Sequence, residues 1–183
     1  MPLIKQAEKG EIELYFGDAV HLIHGGNLGY CWCRERVEIL TKSGRNRYNV
    51  MGCYNYTSNE TVTITNNTYI TSTEIETILE KLREKNGEKE VYLILDNAKY
   101  QKSKLVKKAA EKNHINIVYL PPYSPNLNLI ERLWKILRKF CLSNKYHETF
   151  EKFCKSIDSF LNETSTTYKN EVTSLLVPKF HIS

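Results

Sequence analysis

Three carboxylates stand where they could do chemistry. Asp18 sits inside the apolar stretch EIELYFGDAVHLI, Asp96 directly follows the apolar run VYLIL, and Glu131 comes just after the proline loop PPYSPN. An acidic group amid a core-strand pattern is costly without a partner, which makes Asp18 the hardest of the three to dismiss. Asp96 lies at the carboxyl end of a strand, where open α/β sheets place their ligands. If the strands of Asp18 and Asp96 are neighbours, the two side chains meet at one sheet edge, and the rigid loop can aim Glu131 at them. Such a cluster suits a pair of Mg²⁺ ions: hard oxygen ligands, few in number, leaving positions for water and phosphate oxygens. Each residue also has a plain structural use. Asp96 can cap the turn that follows it, Asn128 and Glu131 have the spacing of a capping box, and Glu131 stands four residues before Lys135, as in a surface ion pair.

The charge of the chain is segregated in a stretch that begins just after Asp96 and contains Glu131. The whole sums to +5, yet the stretch from Lys99 to Lys139 holds ten basic and two acidic residues, a local +8, and the remaining residues sum to −3. A phosphodiester backbone needs this arrangement, with carboxylates to hold metals and surrounding Lys and Arg to neutralise phosphates. Lys99, Lys102, Arg132, Lys135 and Arg138 are the candidate contacts in this stretch. Lys42, Arg45 and Arg47, near the tip of an expected hairpin, are a second group, with a solvated turn as the alternative. Lys104, Lys107, Lys108 and Lys112 lie opposite the apolar face of their helix and are explained by solvation. Trp134 and the tyrosines read as packing groups.

The elements that must position these residues begin with strands. Residues 11–23 alternate with the period of two expected of a strand. GYCWCRERVEIL and RYNVMGCYNY suggest two more, paired across the turn-rich TKSGRN, and TVTIT is a short fourth rich in β-branched residues. From Ser72 the period becomes helical, with Ile75, Ile78, Leu79 and Leu82 on one face and Asn86-Gly87 as the stop. VYLIL reads as a strand buried on both faces. A helix over about 101–113 follows, with Leu105, Val106, Ala109 and Ala110 inward. INIVYL is another strand, and the proline loop cannot be regular structure. Asn128 opens a helix, a last helix runs over about 148–162, and residues 163–183 are weakly patterned. This order describes an α/β layer protein with a mixed sheet, and 183 residues suit a single domain.

Composition excludes other classes. At 41% hydrophobic and 26% charged the chain is neither disordered nor collagen-like. It has no apolar run long enough to span a bilayer and no secretory h-region, so a cytosolic or nucleoid-associated protein is expected. The five cysteines are scattered without a CxxC pair, which supports neither a disulfide framework nor a zinc site. His21 and His24 form a lone HxxH, a weak metal signal.

LILDNAKYQKS, YLPPYSPNLNLIERLW and FGDAVHLIHG together resemble the catalytic domain of bacterial and archaeal insertion-sequence transposases in the mariner-related branch of the DDE superfamily. The resemblance runs from about residue 11 to 161. The family's Asp, Asp, Glu motif matches Asp18, Asp96 and Glu131, with 34 residues between the last two, a spacing typical of that group.

The resemblance implies a ribonuclease H-like three-layer fold, a mixed sheet flanked by helices, and two Mg²⁺ or Mn²⁺ ions held by the three carboxylates. It implies phosphodiester hydrolysis at transposon ends followed by transfer of the 3′-OH into target DNA, usually at TA, by a homodimer on paired ends. Full-length relatives carry an upstream helix-turn-helix domain, whereas here Met1 lies about ten residues before the first strand, so recognition of transposon ends is not expected of this chain. Two alternatives follow: a truncated DNA-binding remnant that regulates a full-length transposase, or a nuclease that cuts without joining. Many relatives have a His in the segment that here reads NAKYQKS, and no role for it carries over.

Overall fold

The computed structural model describes residues 2–25, 34, 46–122, 124 and 127–175. The expected strand over 29–40, its turn, and the candidates Lys42 and Arg45 lie outside these residues.

A five-stranded mixed sheet forms the middle layer. Its strands are β1 (Glu13–Ile23), β2 (Arg47–Asn55), β3 (Thr61–Asn66), β4 (Val91–Leu95) and β5 (Ile115–Tyr119), in the order β3-β2-β1-β4-β5. β1 runs antiparallel to β2 and parallel to β4. β1 therefore lies in the centre, where one face and then the other must be covered, and the alternation of its side chains divides the core in two. Leu14, Phe16, Val20 and Leu22 pack against Ile130, Leu133 and Leu137 of α4 (Ile130–Leu137) and Phe153, Ile157 and Phe160 of α5 (Phe150–Asn162). Tyr15, Met51, Cys53, Leu93 and Leu95 face Ile75, Ile78, Leu79 and Leu82 of α2 (Ser72–Asn86) and Val106 and Ala109 of α3 (Lys104–Lys112). Each buried Val, Leu, Ile, Phe or Met among them contributes roughly 1.5–3 kcal/mol by leaving water. The result is the three-layer α/β architecture expected.

Local chemistry sets the helix bounds. Thr71 and Glu74 form a capping box at the start of α2, and Gly87 ends it at φ 56°. α3 starts later than the periodicity suggests, because Lys99–Lys102 form a 3₁₀ turn and the Ser103 side chain then accepts from the Val106 amide. Leu105, expected inward, is 39% exposed, because Val106, Ala109 and Ala110 already define the buried stripe. α4 continues into a π-helical turn, Arg138–Leu142. Two short helices carry no strong sequence pattern, α1 (Pro2–Glu8) and α6 (Lys169–Leu175). Among the described residues, no helix is long and apolar enough to cross a membrane.

Candidate active site

The site is built where β1 and β4 run side by side. Gly17 lies in register with Leu95, so the next residue on each strand's path is an aspartate, and the two stand side by side. Asp18 is half-buried in mid-strand, while Asp96, just beyond β4, is exposed. Glu131, in the first turn of α4, lines the same cleft as Asp96, a cavity of about 410 Å³ also walled by Asn97, Pro121, Pro122 and Asn128. The structure thus brings the three expected carboxylates to one place.

Their mutual electrostatics are unfavourable. Burial, then the charges of Asp96 and Glu131, push the Asp18 carboxyl up from 3.8 to about 7, against the Ala19 amide and the Trp134 indole, which lower it. Tyr100 is pushed up to about 12 by burial and by the charges of Asp18 and Asp96. None of the ion pairs among the described residues involves these three acids, so the local excess of basic residues leaves them unneutralised.

Neutral groups surround the carboxylates instead. Trp134 Nε1 donates to Asp18 Oδ2 over 3.3 Å. The indole can reach because the residue opposite Asp18 on β2 is Gly52, where a Cβ would stand 2.6 Å from Trp134 Cη2. Gln101 Nε2 donates to Asp96 Oδ1. Asn128, 2% exposed, donates from Nδ2 to the Gly17 carbonyl at 3.1 Å. That bond ties the start of α4 to the residue before Asp18 and overturns the capping-box reading: the Asn128 side chain is spent on β1, and α4 has no side-chain cap. Glu131 also forms no ion pair with Lys135, and its carboxylate stays available to the cleft. Asp96 likewise faces Gln101 and caps no helix, since Ala98 and Ser103 flank the turn that follows.

The donor set fits a divalent cation. Among the described residues, the buried side-chain oxygens without a partner are Asn97 Oδ1, Gln101 Oε1 and Asn128 Oδ1, all beside these carboxylates. Unmatched acceptors and unneutralised acids together call for a hydrated cation, which supplies both charge and O–H donors. Among the described residues, no three His, Cys, Asp or Glu side chains are drawn together closely enough to hold a metal ion as they stand. Three like charges without an ion repel one another, so an open arrangement is the one electrostatics favours.

The other candidates fall in different places. Lys99 and Lys102 lie on the exposed turn after Asp96, the Lys102 ammonium 5.1 Å from the Tyr119 ring centroid. Lys135 and Arg138 are exposed on α4 and its extension, and Arg132 and Lys135 line a second cavity of about 380 Å³ with Lys139 and Phe140. Arg47 is paired with Ile23, away from the carboxylates at the far end of β1. The HxxH pair is split. His21 Nδ1 meets Asn49 Oδ1 at 2.7 Å, and His24 Nε2 meets the His147 carbonyl at 2.7 Å. Sequence reading missed Trp134, Gln101, Asn128 and Gly52 as site residues. The Trp134 contact spans 116 positions in the chain, a separation at which periodicity carries no signal.

Comparison with known proteins points the same way. A family model described as DDE superfamily endonuclease matches residues 13–154. No curated protein sequence matches significantly. Among solved structures, the Mos1 strand transfer complex superposes with a TM-score of 0.65 at 13% identity, covering 96% of this chain and 55% of that one. The catalytic domain of Mos1 mariner transposase gives 0.64 at 12% identity, covering 96% and 83%. The HTLV-2 integrase catalytic core domain in complex with magnesium gives 0.55 at 16%, covering 82% of each. At such identities the likeness is one of fold, the ribonuclease H-like fold of these catalytic domains. The chain spans about half the length of the Mos1 protein in the strand transfer complex.

Proposed function

Because this chain belongs to the DDE superfamily endonucleases, we propose that it is the catalytic domain of a DNA transposase, with Asp18, Asp96 and Glu131 as the residues that hold its metal ions. The observation that carries this reading is the register of β1 and β4, which sets Asp18 beside Asp96, while Glu131 lines the same cleft as Asp96. The likeness to a strand transfer complex and to an integrase core bound to magnesium supports it.

Two Mg²⁺ or Mn²⁺ ions, when bound, supply the charge that activates a nucleophile and stabilises the leaving oxyanion. Asp18, the more deeply buried, and Asp96 and Glu131 beside the cleft would hold these ions. The walls of the cleft, Pro121 and Pro122, restrict how a phosphodiester enters. Lys99, Lys102, Lys135 and Arg138 would neutralise neighbouring phosphates and so hold the duplex against the acidic centre. No protein nucleophile is required. Hydrolysis at a transposon end would be followed by attack of the freed 3′-OH on target DNA. Assembly as a homodimer on paired ends and a preference for TA targets belong to the same proposal.

A joining assay separates this reading from its alternatives. A labelled duplex with a free 3′-OH at the element's inverted-repeat end is incubated with plasmid target and Mg²⁺. Joined product is the expected result. Cutting without joining would mean a nuclease, and tight binding without either reaction would mean a DNA-binding remnant.

A further inference from the structure

We propose that Trp134 and Gln101 are positioning residues that set the orientation of Asp18 and Asp96 toward a divalent cation. The inference rests on the metal-holding role proposed above. Among the described residues, each aspartate receives one side-chain hydrogen bond, and in both cases the donor is a neutral N–H: Trp134 Nε1 to Asp18 Oδ2, and Gln101 Nε2 to Asp96 Oδ1. A Lys or Arg there would also orient the carboxylate, but it would cancel the charge that attracts the cation and compete with it. A single N–H dipole fixes the side chain and leaves the full negative charge in place.

Both donors are rigidly held. Trp134 is 1% exposed and its ring packs against Gly52, where a Cβ would stand 2.6 Å from Cη2. Gln101 is 0% exposed, and its main-chain carbonyl accepts from the Tyr119 hydroxyl at 2.8 Å. The amide orientation of Gln101 is forced, because the flipped form would set two oxygens against each other. Its Oε1 is then buried without a partner. A buried, half-satisfied amide is worse for the fold than an apolar side chain of the same length. What the side chain provides is the bond to Asp96, beside a contact with the Tyr100 hydroxyl.

The test is Mn²⁺ uptake by the whole chain without DNA, followed by the electron paramagnetic resonance signal of free Mn²⁺, together with the thermal midpoint of the metal-free protein. The variants are Gln101→Met, which keeps the length and removes the donor, Trp134→Phe, and Gln101→His, which restores a side-chain N–H. Mn²⁺ affinity is expected to fall about tenfold to a hundredfold in the first two and to recover at least partly in the third. The midpoint of metal-free Gln101→Met is expected to stay level or rise. Affinity within about twofold of the parent in both Gln101→Met and Trp134→Phe, or a loss of affinity in Gln101→Met matched by a loss of metal-free stability, overturns the positioning role. A parent chain that takes up no Mn²⁺ at all would instead sink the metal reading beneath it.

Discussion

Asp18 and Asp96 each stand one residue beyond a registered pair, Gly17 on β1 and Leu95 on β4. Two parallel strands therefore deliver two carboxylates to neighbouring positions, in the middle of β1 and just past the end of β4. No loop conformation is needed to bring them together, so their proximity is as robust as the central strand pairing itself.

This proximity makes stability depend on pH in an unusual direction. The Asp18 carboxyl titrates at about 7 in the folded chain and near 3.8 when free of it, so between those values the folded state binds the extra proton. The metal-free fold then loses stability as pH rises from about 4 to about 7, and above that the penalty is complete. Asp18→Asn should raise the thermal midpoint at pH 8, with the difference shrinking toward pH 4. Mg²⁺ or Mn²⁺ should raise the parent's midpoint most at the alkaline end. A parent whose midpoint climbs steadily from pH 4 to 7 without metal would contradict this.

Gly52 tests the clearance beneath the indole. Its missing Cβ leaves the space that Trp134 occupies, with 2.6 Å to Cη2 and 3.1 Å to Cζ2 if one were added. Gly52→Ala should destabilise the chain by roughly 1–3 kcal/mol in a urea titration. Unchanged stability would mean that the indole has another place to go.

The segregation of charge makes a separate claim. Neutralising Lys102, Lys135 and Arg138 should weaken binding to a duplex and flatten its salt dependence by roughly 0.9 for each phosphate that is no longer neutralised. Neutralising three basic residues within 1–90 should matter less. Equal effects from the two sets would reduce the basic stretch to a solvated surface.

The sequence alone carried the strands and helices with strong periodicity. β1, β4 and α2 stand where their apolar patterns put them, and the two aspartates were placed by the single assumption that β1 and β4 are neighbours. What it missed was non-local or weakly patterned. Asn128 and Glu131 have the spacing of a capping box, but the Gly17 carbonyl, 111 positions away, takes the amide instead. Leu105 fits a helical repeat yet is left outside, because the small Ala109 and Ala110 let α3 pack closely on the other side of its stripe. Trp134 was legible as a core residue and is one; its N–H on Asp18 depends on a glycine on another strand. α1 and α6, seven residues each, are too short for periodicity to mark.

The most direct measurement is the nicking of supercoiled plasmid DNA by the parent chain and by Asp96→Asn, each with Mn²⁺ or Mg²⁺ and with a chelator. Asp96 is exposed and in no ion pair among the described residues, so the substitution should leave the fold intact. Nicking should require the divalent ion and fall at least about a thousandfold in the variant, a loss of about 4 kcal/mol in transition-state stabilisation. Nicking that survives in Asp96→Asn, or proceeds equally in chelator, would contradict a carboxylate-held metal site as the seat of the chemistry.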